Sequence, residues 1–350
     1  MARADKAVLR LTVGLGVAAF VAYGFGLQMP YALCVMAVLV LCKPGPPMGL
    51  GKGAAVAAVL AGLLALGMLM VPLLESYAAA GILLTACVLF AVFHHGQRTK
   101  GPLTMILVMA FALIPVVGVA EQSLAATITT TLAIGLVIGS VVSLLSHGFF
   151  PDPPQAAAAQ RSRTGRVDEE LARWIALRAT LIVMPVFVLA LTNPSLYVAA
   201  IMKTVMLGQQ AGETHARSAG GELVGSTLMG AALGLVAWLG LSLLPNLWML
   251  ALWLMAAALW SGSAMFGTRR TRRGPSFWSN ALITMLILLG PAIEDSATGK
   301  SVLAASAVRT TLYLGVSLYA WGTVWALEHW RESRARRDER RRRATVETPA

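Results

Sequence analysis

The sequence predicts an all-α integral membrane protein with about twelve transmembrane helices, arranged as two parallel six-helix repeats. Three observations carry that expectation. The 350 residues are 57% hydrophobic and only 13% charged, with a mean hydropathy of +0.72, whereas soluble domains carry about a quarter charged residues. Uncharged runs close to the ~20 residues that cross a bilayer recur along the whole chain. Marker residues of the first half also reappear, in order, in the second.

The runs define the spans. Gly53–Leu74, Ser76–Phe93, Gly101–Ala120 and Gln122–Ser146 each suit one crossing. Leu11–Cys42 is too long for one and breaks between Gly26 and Pro30, because glycine and proline punctuate helices. Leu223–Thr268 is divided at Leu244-Pro245-Asn246, and Ala179–Met202 is interrupted at Thr192-Asn193-Pro194. Gly274–Ile293 and Ser301–Leu327 complete the set, the last with one charge, Arg309. The second and eighth helices, near Pro30–Cys42 and Ser195–Leu207, are short enough to be partial or re-entrant spans.

The repeat follows from matched positions. Leu9-Arg10-x-Thr12 opens one half and Leu177-Arg178-x-Thr180 the other. Gly67 and Pro72 correspond to Gly240 and Pro245, Gly101-Pro102 to Gly274-Pro275, and Glu121 to Asp295. A basic loop precedes each Gly-Pro pair. Six helices per copy is an even number, so both copies share one orientation. The boundaries are 1–150 for the first repeat, 151–174 for a linker, 175–330 for the second repeat and 331–350 for a basic tail. The first apolar run, after Arg3 and Lys6, has the form of a signal peptide; its counterpart after Arg178 lies mid-chain, so the first run reads as structural.

Charge sets the orientation. With both termini inside, all but Lys300 and Arg309 of the 28 basic residues fall on cytoplasmic segments, Lys203 among them, as the positive-inside rule requires. The net charge of +12 is thereby explained without nucleic acid, and the tail is expected to lie near anionic lipid headgroups. The multi-pass chain is expected in a bacterial inner membrane.

Few residues carry chemistry. Gly299-Lys300-Ser301 and Gly51-Lys52-Gly53 are near-misses of a nucleotide-binding loop. Three cysteines, Cys34, Cys42 and Cys87, lie in apolar runs with no ligand spacing. His94-His95 and His147 suit cytoplasmic helix ends, where the helix dipole favours them. No enzyme, cofactor or metal is expected. Glu121 and Asp295, with Glu294 alongside, read either as solvated loop acids or as proton acceptors on the outer side. Glu222, between Gly221 and Gly225, reads as either interfacial or cavity-facing. Arg309, eight residues into its helix, is about 12 Å deep at ~1.5 Å per residue. It is either an ion-pair partner of Asp295 or Glu294, or a fixed cation on an anion path. Thr129-Thr130-Thr131 and Thr310-Thr311 could add hydroxyls to that path. Gly135-x3-Gly139, Gly221-x3-Gly225 and Gly230-x3-Gly234 read as helix contacts.

The Leu-Arg-x-Thr openings, the short second helices and the loops after them carry a family resemblance. Those loops are Lys43-Pro-Gly-Pro-Pro-Met-Gly and Gly208-Gln-Gln-Ala-Gly-Glu-Thr, and Arg217…Gly225-Ser-Thr-Leu-Met-Gly230-Ala follows the second. Over its membrane portion the chain resembles the fusaric acid resistance and aromatic acid exporter superfamily, as a compact version without a large cytoplasmic domain. The resemblance implies an inner-membrane exporter of small aromatic or other organic acids. It also implies a periplasmic adaptor of the membrane-fusion type and an outer-membrane channel as partners. A passive organic-anion channel, a non-transporting scaffold and a homo-oligomer stay open at this stage.

Overall fold

A computed structural model describes residues 3–42, 50–99, 103–151, 169–194, 197, 200–205, 207, 216–297 and 302–346. The two loops quoted for the resemblance, most of the linker, and Lys43, Lys100 and Lys300 lie outside the described residues, as do the side chains of Lys52 and Arg217.

Every regular element among the described residues is a helix. They are α1 (Arg3–Gly24), α2 (Pro30–Leu41), α3 (Leu50–Met68), α4 (Met70–Ser76), α5 (Ala78–Thr99) and α6 (Leu103–Ala120). After these come α7 (Gln122–Phe149), α8 (Glu169–Thr192), α9 (Ala216–Leu243), α10 (Leu247–Met265), α11 (Pro275–Ala297) and α12 (Val302–Val346). A further helical piece covers 200–205. Eight spans are long and apolar enough to cross a membrane: Arg3–Gly24, Gly53–Ser76, Ala78–Arg98, Gln122–Phe149, Glu169–Thr192, Gly221–Leu243, Leu247–Met265 and Pro275–Ser296. Pro30–Leu41 and Leu107–Ala120 are apolar but shorter.

The predicted breaks have local causes. Between α1 and α2 the chain turns through left-handed backbone at Gly26 (φ +59) and Met29 (φ 48), and Pro30 opens α2. Proline is tolerated there because the first-turn N–H groups lack helical partners. Between α9 and α10, Asn246 caps the new helix by accepting from the Met249 N–H at 2.7 Å. One break is absent from the sequence reading: Gly53–Leu74 divides at Leu69, where the Leu69 N–H reaches the Leu66 carbonyl at 3.2 Å. Pro72 explains it, since its ring opposes the carbonyl four residues back.

The exterior is apolar. Leu69, Leu83, Leu235, Leu239, Leu243 and Leu252 are all exposed, an arrangement suited to lipid rather than water. Exposed aromatics gather at both rims: Phe25, Tyr77 and Trp248 beside the α1–α2, α4–α5 and α9–α10 turns, and Phe149, Trp260 and Trp330 at the opposite, basic end. Aromatic belts of this kind mark membrane–water interfaces. The chain is accordingly a multi-pass helical membrane protein.

Inside, α3 packs on α6 and α7, while α9 packs on α11 and α12. Helix α5 lies along α6 and α8, and α10 lies along α11 and α1. Glycines permit the closest crossings: a Cβ on Gly67 would stand 2.0 Å from the Ala110 carbonyl oxygen, and one on Gly139 3.2 Å from Ala37 Cα. Helix α12 has 45 residues, about 68 Å at ~1.5 Å each, so it leaves the bundle at the basic end as a helical tail.

Candidate functional site

The polar groups of the interior gather where α9, α11, α12 and the 200–205 piece meet. Lys203 is wholly buried, at 0% exposure. Its Nζ donates to Asn280 Oδ1 at 3.1 Å and Thr284 Oγ1 at 2.6 Å, both on α11. The acceptors are themselves fixed: Thr284 Oγ1 donates to the Asn280 carbonyl at 2.6 Å, and Asn280 Nδ2 donates to Ser226 Oγ on α9. Beside Ser226, Thr227 shares a hydrogen bond of 2.9 Å with Ser317 on α12. All six of these side chains are buried.

Small residues make the junction fit. A Cβ on Gly230 would stand 2.6 Å from both the Ala281 carbonyl oxygen and Thr284 Cβ, so glycine lets α9 approach α11 one turn from the lysine's acceptors. Ser226, Thr227 and Gly230 all belong to the Gly225–Ala231 run that carries part of the family resemblance.

The charge balance of the cluster is unusual. An ammonium has three N–H donors; two are taken by neutral oxygens, and no carboxylate lies within salt-bridge distance of Lys203 among the described residues. A buried cation without a counter-ion is costly in a bilayer and suits a site where an anion supplies the missing charge. Asn280 and Thr284 stand five and nine residues past Pro275, about 8 and 14 Å along α11 from the basic end. The amine is therefore well inside the bundle, not in a loop. That corrects the placement of Lys203 with the cytoplasmic basic residues. The 195–207 stretch is otherwise uncharged, so a lysine inside it was the available signal; Asn280 within an apolar run was a second.

The sequence-derived candidates lie elsewhere. Arg309 Nη1 contacts Asp295 Oδ2 at 2.7 Å, with side chains 24% and 12% exposed. This is the ion-pair alternative, and the approach is electrostatic rather than aligned as a hydrogen bond. Thr310, next to Arg309, is half-buried. Thr130 faces outward, its hydroxyl donating back to the Ala126 and Thr127 carbonyls of its own helix. Glu121 precedes α7 in the open and accepts from Ser123. Glu222 Oε1 would stand 3.7 Å from a Cβ on Gly274 at the start of α11. Asp295 lies at the far end of that helix, about 30 Å away at ~1.5 Å per residue. The structure therefore joins Arg309 with Asp295, places Glu222 at the opposite end of α11, and leaves Thr130 and Glu121 exposed.

The repeat-matched arginines are both buried. Arg178 Nη1 meets Glu328 on α12 at 2.7 Å, and Trp174 Nε1 donates to the same carboxylate at 3.3 Å. Arg10 Nε donates to the Lys6 carbonyl at 3.3 Å. Both arginines thus have partners within the chain. Among the described residues no group of three His, Cys, Asp or Glu is placed to hold a metal ion. No protein-family model, curated protein or solved structure matches the chain.

Proposed function

We propose that this chain is a membrane transporter, not an enzyme, which moves small organic acids as anions out of a bacterial cell across the inner membrane. The observation that carries the reading is Lys203: a wholly buried amine with two neutral acceptors, which on protonation keeps a third donor for a ligand. A carboxylate is the simplest ligand that supplies both the negative charge and the acceptor. The resemblance to the aromatic acid exporters favours an aromatic acid, with a periplasmic adaptor and an outer-membrane channel as partners. The placement of basic residues favours cytoplasmic termini.

A two-repeat architecture belongs to the same proposal, and the helix packing supports it. Exchanging the halves carries the pairs α3–α6 and α3–α7 onto α9–α11 and α9–α12, and α5–α6 onto α10–α11. It also carries α1–α10, which joins the halves, onto α8–α5.

The test is uptake of radiolabelled 4-hydroxybenzoate into proteoliposomes at roughly pH 6, where the carboxyl is ionised and crosses lipid slowly while an amine is still readily protonated. Lys203→Met removes the charge while keeping a flexible apolar side chain of similar length. It leaves Asn280 Oδ1 without its donor, a cost of about 1–3 kcal/mol, and should lose flux out of proportion to that loss of stability. Lys203→Arg keeps the charge and should retain part of it. A well-folded Lys203→Met protein with unchanged flux would remove the lysine from the mechanism.

A further inference from the structure

Between the Lys203 cluster and the Arg309–Asp295 pair stands one more polar group, the hydroxyl of Tyr313. The side chain is at 0% exposure, and its hydroxyl has no hydrogen-bond partner among the described residues. A buried hydroxyl left unsatisfied costs stability, so a native one calls for an explanation. Position supplies it. Arg309, Tyr313 and Ser317 are spaced i, i+4, i+8 on α12, so they lie along one face. Ser317 Oγ donates to the Tyr313 carbonyl at 2.7 Å and shares the bond with Thr227 beside the lysine's network. At the other side, Arg309 stands one turn before Tyr313 on the same helix. Tyr31 packs against α11 nearby, where a Cβ on Gly290 would stand 2.3 Å from the first ring atom, Cγ. Helical side chains lean toward their helix N-terminus, which for α12 is the Arg309 end. The phenol therefore leans from its Cα toward the Arg309 end of α12, away from Ser317.

We propose that Tyr313 binds the transported anion directly, donating its hydroxyl hydrogen to the substrate carboxylate after the anion leaves Lys203. The proposal rests on the transporter reading and adds the next station of the path. A neutral donor is suited to that place: conduction needs sites that hold an ion well enough to receive it and weakly enough to release it. Arg309, already engaged by Asp295, is less suited to offering a free charge.

The sign of the stability change tests the idea. Tyr313→Phe removes one oxygen and keeps the ring. With no protein partner lost, the variant should melt at the wild-type temperature or higher in detergent, while 4-hydroxybenzoate flux in proteoliposomes falls about tenfold, the effect of losing a hydrogen bond to a charged group. Tyr319→Phe is the control, because the Tyr319 hydroxyl donates to the Leu181 carbonyl at 2.7 Å; it should lower stability and leave flux intact. Unchanged flux in Tyr313→Phe overturns the proposal and leaves the transporter reading standing. A lower melting temperature in Tyr313→Phe also overturns it, since the hydroxyl would then be holding the fold. Wild-type protein with no more flux than empty liposomes overturns the transporter reading itself.

Discussion

The Arg309–Asp295 contact is best examined with a double-mutant cycle. At a charge separation of about 4 Å and an effective dielectric constant near 20, two unit charges attract by ~4 kcal/mol before desolvation. Breaking a fully buried pair costs ~3–5 kcal/mol, and exposed pairs yield ~0.2–1 kcal/mol. Here the side chains are 24% and 12% exposed and the approach is not aligned as a hydrogen bond. Arg309→Ala should therefore lie between those limits, at about 2 kcal/mol destabilising. Asp295→Ala should cost a similar amount. The double variant should cost clearly less than the sum, with a coupling energy near 1–2 kcal/mol. The assay is reversible unfolding in mixed micelles, titrated with an anionic detergent, on the four proteins. A coupling energy below ~0.5 kcal/mol would refute the pair as an energetic unit. The same four proteins separate structure from transport: if the double variant folds and transports normally, Arg309 belongs to the scaffold and not to the path.

Two further predictions concern the frame around the site. Gly230→Ala places a Cβ 2.6 Å from the Ala281 carbonyl oxygen; overpacking of this kind should destabilise by about 1–3 kcal/mol. Because the displaced helix holds Asn280 and Thr284, flux should fall with it; wild-type stability in that variant would mean the α9–α11 crossing is slacker than described. For topology, single cysteines beside Glu121 should react with an impermeant thiol reagent added outside intact cells, whereas one at Arg163 should react only after permeabilisation. Outside labelling at Arg163 would invert the proposed orientation.

Much of the fold could be read from the chain because lipid imposes so strict a rule. A segment that crosses must be helical and apolar, and a glycine, proline or asparagine in such a run marks its end. The breaks at Gly26–Pro30, Thr192-Asn193-Pro194 and Leu244-Pro245-Asn246 fall where α1, α8 and α9 stop. The break at Leu69 is not legible in the same way, because the uncharged run continues through Pro72 to Leu74 and a proline so near the end of a run does not show whether the helix is interrupted there.

The site was less legible for a different reason. In a membrane protein both the lipid-facing and the bundle-facing sides of a helix are apolar, so periodicity does not say which residues look inward. Thr129 is buried and Thr130 exposed although they are neighbours in one threonine run. Lys203 reads as a cytoplasmic basic residue because the positive-inside rule gathers such charges on one side; only its neighbours on α11, some 77 residues on in sequence, reveal the buried setting.

The exchange of partners between α1 and α10, and between α5 and α8, bears on how such a chain is made. Helix α1 emerges from the ribosome well before α10: more than two hundred residues separate Gly24 from Leu247, roughly 10–45 s of synthesis at ~5–20 residues per second. During that interval the surface that later seats Met255 against Gly16 and Gly262 against Leu11 faces lipid or the insertion machinery, with Arg10 held among them. A nascent chain arrested before α10 would thus carry a first helix packed on α2 and α7 but with its α10 face unpartnered, and the seam between the halves closes only once the tenth helix is made.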